Sequence, residues 1–449
     1  MATADSRPPN GFDRFLRIFA DVRTGEGGTA LLLGLNVFLI LMAYYVLKPV
    51  REALVLGEGS AAAKTYLSVV EVFLLAGAVP AYGALVRRMD RRLLINSVTG
   101  FFVVCLLIFY ALGQAGVHIG MAFFLWISIF NMMVVAQFWS FANDLYSKDE
   151  GERLFPIVGF GASFGAVAGA AVAGGFIEKL GTYSPMLVGA AILVLETVLT
   201  NLIDVRESRR GRSAAPRAAM TKEPAARGGA FGMVLRTRYL LLIALMLLLH
   251  NAVKTTGEFL LSTTLQNDAI SKVGAGDPEG IKRLIGASYS YFFAWVNTVG
   301  LITQLFLVSR IVKKFGVQLA VLVLPLVALT GYSAIGLAPV LGVVFAAKVA
   351  ENSTDYSLNN TVRNMLFLPC TTEQKYSAKQ AIDSFFVRLG DVTAAAVVFI
   401  LHDWLTLGSR AFALVNAGLV AVWLLLAWRI GRNYSELTSH DGTSPPTTA

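Results

Sequence analysis

The chain has 449 residues, 55% of them hydrophobic and 15% charged, and its mean hydropathy of +0.63 points to lipid as its solvent. The net charge of +9 lies in short segments between apolar runs, which makes it topology information and argues against a nucleic-acid partner. Cys105 and Cys370 have no metal-ligand spacing, so no disulfide framework, thiol chemistry, metal or other cofactor is expected.

The opening segment, 1–28, carries four arginines and no cleavable small-residue site, so no signal peptide is expected. Phe12, Phe15, Leu16 and Phe19, with Arg14 and Arg17, fit an amphipathic helix lying in the membrane interface. Twelve apolar spans follow, at 29–56, 66–86, 93–112, 119–146, 154–176, 185–204, 237–264, 286–309, 317–336, 339–367, 378–401 and 407–429. They form a first six-helix bundle over 29–204 and a second over 237–429, joined by a basic linker over 205–236 and followed by a tail over 430–449. Lys and Arg gather in Arg87–Arg92, Lys148–Arg153 and Arg206–Arg238, which places the linker and both termini in the cytoplasm. The expected architecture is an all-α membrane protein of the major facilitator type. Gly83-Ala-Leu-Val-Arg-Arg-Met-Asp-Arg-Arg92 is a partial match to that superfamily's loop signature between spans two and three.

Ionisable groups at bilayer depth cost about 3 kcal/mol each on insertion scales, so a chain that keeps many must pair them or turn them toward a cavity. In span ten, Lys348, Glu351, Asn352, Asp355, Asn359 and Arg363 form one stripe at helical spacing. Span eleven offers Gln380, Asp383, Ser384, Arg388 and Asp391. Span one offers Lys48, Arg51 and Glu52, and span seven Lys254 and Glu258. The two halves echo each other in Lys48-x-x-x-Glu52 and Lys254-x-x-x-Glu258, and in Asn143 and Asn359-Asn360. These polar faces are expected to line one pathway, although each i,i+4 pair also fits a plain internal ion pair. Glu71 and Glu196 each fit either a proton carrier or a packed neutral carboxyl.

The Gly159, Gly161, Gly165 and Gly169 run lies inside span five with no preceding strand, so it reads as close helix packing and not as a nucleotide loop. No Gly-Lys-Ser/Thr loop, catalytic triad or metal grouping can be assembled, so the chain is not expected to be an enzyme.

Several stretches resemble the ATP/ADP translocases, a nucleotide-carrier family with a major-facilitator-like fold. They are Leu47-Lys-Pro-Val-Arg-Glu-Ala-Leu-Val55, Phe138-Trp-Ser-Phe-Ala-Asn143, Asp149-Glu-Gly-Glu-Arg-Leu-Phe-Pro156, the surroundings of Glu258, Asp355-Tyr-Ser-Leu358 with Arg363-Asn-Met365 and Leu368-Pro369, and Lys379-Gln-Ala-Ile-Asp383 with Leu389-Gly-Asp391. Asp355 and Asp391 stand where the family has lysine.

The resemblance implies a secondary carrier, functional as a monomer in a bacterial inner membrane, that exchanges ATP, ADP or a related phosphorylated anion by alternating access. Its implied binding residues are Lys48, Arg51, Glu52, Asn143, Lys254, Glu258, Lys348, Glu351, Asp355, Asn360, Arg363 and Arg388. Within this set Lys48, Arg51, Arg363 and Arg388 receive the anion, and Glu258, Glu351 and Asp355 act as counter-charges. The alternative is a proton-coupled carrier of another organic solute, titrating at Glu71, Asp355 or Asp391. That alternative is raised by an inventory of six cations (Lys48, Arg51, Lys254, Lys348, Arg363, Arg388) against eight carboxylates (Glu52, Glu71, Asp144, Glu258, Glu351, Asp355, Asp383, Asp391).

Overall fold

The computed structural model describes residues 22–23, 26–146, 148–209, 229–371, 374 and 378–441, and among them every regular element is helical. The interfacial helix expected near residues 12–19 lies outside the described residues, as do 210–228 of the linker and 442–449 of the tail.

Six helices precede the linker: α1 (Gly27–Gly57), α2 (Ala61–Arg88), α3 (Arg91–Gln114), α4 (Gly120–Leu145), α5 (Lys148–Leu180) and α6 (Ser184–Arg209). A short helix, Gly229–Arg236, occupies the end of the stretch read as linker. Next come α7 (Arg238–Val273), α8 (Pro278–Ala320) and α9 (Val323–Leu337). The last three are α10 (residues 341–365), α11 (Lys379–Trp404) and α12 (Ser409–Asp441). Ten of these are long and apolar enough to cross a bilayer, and the short α9 and the polar α10 complete twelve among the described residues. Several helices outrun their apolar spans, α7 by nine residues at its C-terminal end and α8 by eight at its N-terminal end. Backbone hydrogen bonding continues past the lipid-compatible stretch while good helix formers last.

The helices of the second half are less regular than those of the first. Helical turns of π type interrupt α8 at Thr303–Leu307, α10 at Asp355–Asn359 and α11 at Ile382–Phe386 and Phe399–Trp404. Such turns admit one extra residue and re-aim the side chains around it. Near the end of α8, Gly316 takes a φ of +71°, a left-handed conformation that breaks the helix and that a Cβ would disfavour.

The chain divides into two compact units. The first draws its described residues from Met1–Glu58, Phe73–Thr221 and Asp277–Ala294, the second from Gly59–Val72, Lys222–Gly276 and Trp295–Ala449. In the first unit α5 packs closely on α1 along its glycine ladder. A Cβ at Gly161, Gly165 or Gly169 would strike the carbonyl oxygen of Gly34, Phe38 or Met42, so both helices step together every four residues. Phe123, Trp126 and Phe130 form a stack on one face of α4, with centroid separations of 5.4 and 5.7 Å. Phe102 meets Trp126 and Phe130 edge-on, which gives this unit a close-packed aromatic core.

Candidate substrate site

The polar stripe of α10 points into the second unit. Lys348, Glu351, Asn352, Asp355 and Asn359 are buried and Arg363 is half-buried. The π turn beginning at Asp355 keeps Asp355 and Asn359 on one face, and Asn359 Nδ2 donates to Asp355 Oδ1 at 2.9 Å. The other oxygen, Asp355 Oδ2, accepts from Lys254 Nζ of α7 at 2.7 Å. That ammonium also lies 4.9 Å from the centre of the Tyr356 ring. His250, one turn before Lys254, places Nε2 3.3 Å from Asp355 Oδ1 and rests on Trp423.

Two turns earlier on α10, Lys348 is 0% exposed and donates to Glu351 Oε2 at 2.8 Å, with Glu258 Oε1 of α7 at 3.9 Å. The Tyr332 hydroxyl lies 3.0 Å from the same Glu351 oxygen, and Asn352 Nδ2 donates to Glu258 Oε1 at 2.9 Å. Gly257 makes this approach possible, since a Cβ there would strike the Tyr332 hydroxyl and come within 2.7 Å of Lys348 Nζ. Lys254 and Glu258, spaced as a local pair on α7, thus each find a partner on α10.

Arginines of α10 and α11 are likewise compensated. Arg363 Nη2 donates to Asp383 Oδ1 at 2.6 Å, from α10 to the π turn of α11. Arg388 Nη1 lies 3.5 Å from Asp391 Oδ2 and 3.9 Å from Glu71 Oε1, which lies within α2. Asp391 Oδ1 also accepts from Asn251 at 2.7 Å and Thr255 at 2.8 Å, both on α7. Glu258, Glu351 and Asp355, expected from the sequence as counter-charges, lie beside Lys254 and Lys348. The carboxylates beside the arginines expected to receive the anion are Asp383, Asp391, Glu71 and, in the first unit, Glu52.

In the first unit Arg51 bonds the neighbouring Glu52 and its guanidinium carbon lies 4.8 Å from the Phe124 ring centre. Lys48 is buried in an aromatic cage, its ammonium 4.1, 5.1 and 5.7 Å from the ring centres of Phe293, Tyr45 and Tyr44. Asn143 and Asn360 are exposed on α4 and α10. The polar residues of spans seven, ten and eleven belong to the second unit and those of span one to the first.

Sequence reasoning missed His250, Asn251, Thr255 and Tyr332, whose roles come from helix-to-helix neighbours and leave no local pattern. Spacing from Lys254 was an available signal for one of them: His250 is one turn before it and on the same face of α7.

Guanidinium groups offer forked donors that suit a carboxylate or a phosphate. Each arginine of the site already has a carboxylate beside it, so an incoming anion must displace that partner. This pairing is how the chain tolerates eight carboxylates among six cations: Asp355, for example, is stabilised by Lys254 and Asn359.

Ten helices long and apolar enough to cross a bilayer among the described residues, a transporter-family match over most of the chain, and curated relatives that are carriers mark a multi-pass membrane transporter. The chain belongs to the Major Facilitator Superfamily, whose family model matches residues 31–362. Among curated proteins it is similar to ADP,ATP carrier protein 1 of Chlamydia muridarum, 23% identical over 344 residues, which cover 67% of this chain and 62% of the relative. It is also similar to ADP,ATP carrier protein 2 of Chlamydia trachomatis, 23% identical over 513 residues, covering 95% and 92% of the two chains. The chain spans about 62% of the length of the first of these relatives. The fold is shared with solved transporters. They include the nucleoside transporter NupG (TM-score 0.63, 11% identity, 90% and 98% covered) and a bacterial homologue of ferroportin in an inward-facing state (TM-score 0.62, 12% identity, 90% and 98% covered).

Proposed function

We propose that the protein exchanges ATP and ADP, or a closely related phosphorylated anion, across a bacterial inner membrane by alternating access. The observation that carries this reading is the set of compensated arginines, Arg363 with Asp383, Arg388 with Asp391, and Arg51 with Glu52. Phosphate oxygens compete well for such guanidinium groups, and release of the carboxylates couples substrate binding to a change of conformation. The similarity to ADP,ATP carrier proteins of Chlamydia supports the same substrate class. In this reading Lys48, Arg51, Arg363 and Arg388 receive the anion. Lys254 and Lys348 are held in reserve by Asp355 and Glu351, while Glu52, Glu258, Asn143 and Asn360 supply the polar surroundings. Both termini and the basic linker face the cytoplasm, and the monomer is the working unit.

Ligand-induced stabilisation of the purified protein tests the proposal. A ligand at about 100 times its dissociation constant adds about 2.7 kcal/mol to the stability of the state it binds. Thermal melting with ATP, ADP, AMP, adenosine and inorganic phosphate should shift upward for the di- and triphosphate and not for adenosine. A shift with adenosine alone would reject anion recognition.

A second reading, a proton-coupled carrier of another solute, is favoured by Asp391. Two of its donors, Asn251 and Thr255, are neutral, so protonation there leaves much of its bonding in place.

A further inference from the structure

A buried carboxyl in the first unit stands outside the proposed exchange. Glu196 lies midway along α6 and is 4% exposed. Its Oε1 accepts from Asn36 Nδ2 at 3.0 Å and Thr200 Oγ1 at 2.6 Å. Glu196 Oε2, Gln137 Oε1 and Thr99 Oγ1 are fully enclosed and have no hydrogen-bond partner among the described residues. Gln137 is 6% and Thr99 1% exposed, and all three side chains line one small cavity with room for about one water molecule.

The charge around that cavity is one-sided. α1 contributes Asn36 to its polar lining, α3 Thr99, α4 Gln137 and α6 Thr200 and Glu196; the remaining lining is aliphatic or aromatic, so Glu196 is its one titratable group. An ionised Glu196 leaves its second acceptor oxygen enclosed beside a cavity that the unpartnered Gln137 Oε1 also borders and whose lining holds no positive group, an arrangement that a low-dielectric interior penalises heavily. A proton on Oε2 converts it into a donor for Gln137 Oε1 or Thr99 Oγ1, directly or through one water.

The cavity also has a polar continuation. A second cavity, lined by Arg91, Arg92, Asn201 and Asp204, shares the walls Ile95, Phe141 and Thr200 with the first. Glu196, Thr200 and Asp204 follow at four-residue spacing on one face of α6. Arg92 Nε donates to Asn201 Oδ1 at 2.8 Å, and Arg91 pairs with Asp204, which brings the track to the basic end of α3.

We propose that Glu196 is a proton-binding site whose proton exchanges with the Arg91–Asp204 end of the bundle along this track, so that the proton is a second ion handled by the carrier. The site is independent of the substrate assigned to Arg363 and Arg388, and its test needs no nucleotide.

Infrared spectra of the lipid-reconstituted protein at neutral pH read it directly. The wild type should show the carbonyl stretch of a protonated carboxyl, shifted on transfer to D2O and lost in Glu196→Gln. Gln137→Met and Thr99→Val each remove an acceptor, and one or the other should move the band to higher wavenumber, which assigns it even if Glu196→Gln fails to fold. Absence of the band in wild type, a band unmoved by Gln137→Met and by Thr99→Val alike, or one that does not shift in D2O would overturn the proposal. So would a band abolished by sodium chloride and untouched by potassium chloride, which marks a sodium site.

Discussion

Lys254 and Asp355 join α7 to α10 through a 2.7 Å ion pair, at a position where the resemblance to the ATP/ADP translocases implies lysine in place of Asp355. The departure in sequence is thus matched by a compensation in structure. Asp355→Lys, which restores the family residue, brings an ammonium to Lys254 and opposes it in the empty protein. The variant should melt below wild type without ligand and gain more stability from ATP than wild type does, because phosphate then supplies the missing negative charge. Equal ATP-induced shifts in the two proteins would show that this position does not face the anion.

A second prediction concerns the fully buried Lys348–Glu351 pair. Lys348→Met leaves Glu351 uncompensated inside the helix bundle and should cost about 3–5 kcal/mol, whereas the double change Lys348→Met, Glu351→Leu should recover most of it. Melting in detergent for the two singles and the double gives the coupling. Additive losses would mean that the pair acts as two separate residues.

The glycine ladder of α5 gives a third. Gly165→Val places branched carbon against the Phe38 carbonyl oxygen and forces α1 and α5 apart, so the expected loss is at least the roughly 1–3 kcal/mol of an overpacked core. Gly159→Val, which meets nothing within 4 Å, is the control and should be tolerated. Folded yield and melting temperature of the two variants decide it.

A fourth prediction is a pH dependence outside the spans. Burial raises the pKa of the Glu26 carboxyl, but the Arg153 guanidinium bonds both its oxygens at 2.9 Å and the Arg23 amide donates to it, so the net direction is downward. A depressed folded-state pKa stabilises the fold above the unfolded pKa, and that contribution is lost as pH falls through the folded one. The melting difference between wild type and Glu26→Gln should be constant around neutrality and shrink in acid below the ordinary carboxylate range. A difference that grows in acid would contradict the pairing.

The twelve helices were legible because lipid admits few alternatives to an apolar helix of bilayer length. The α10 stripe was legible for the same reason: Lys348, Glu351 and Asp355 had to turn inward. Which charge meets which was not. Local spacing suggested Lys254 with Glu258, yet Asp355, a hundred residues away, bonds the lysine, and a π turn that no periodicity announced sets its position. The polar surroundings of Glu196 come from four different helices and leave no mark on any one of them.

Anion exchange through compensated arginines can be measured by counterflow in proteoliposomes. Vesicles loaded with unlabelled ADP should take up labelled ATP transiently above equilibrium at equal pH on both sides. Arg363→Gln should abolish that uptake, because a forked donor for phosphate has been removed from a site with little water. Wild-type vesicles that show no nucleotide counterflow, yet accumulate a non-phosphorylated solute when the pH is stepped, would contradict the account.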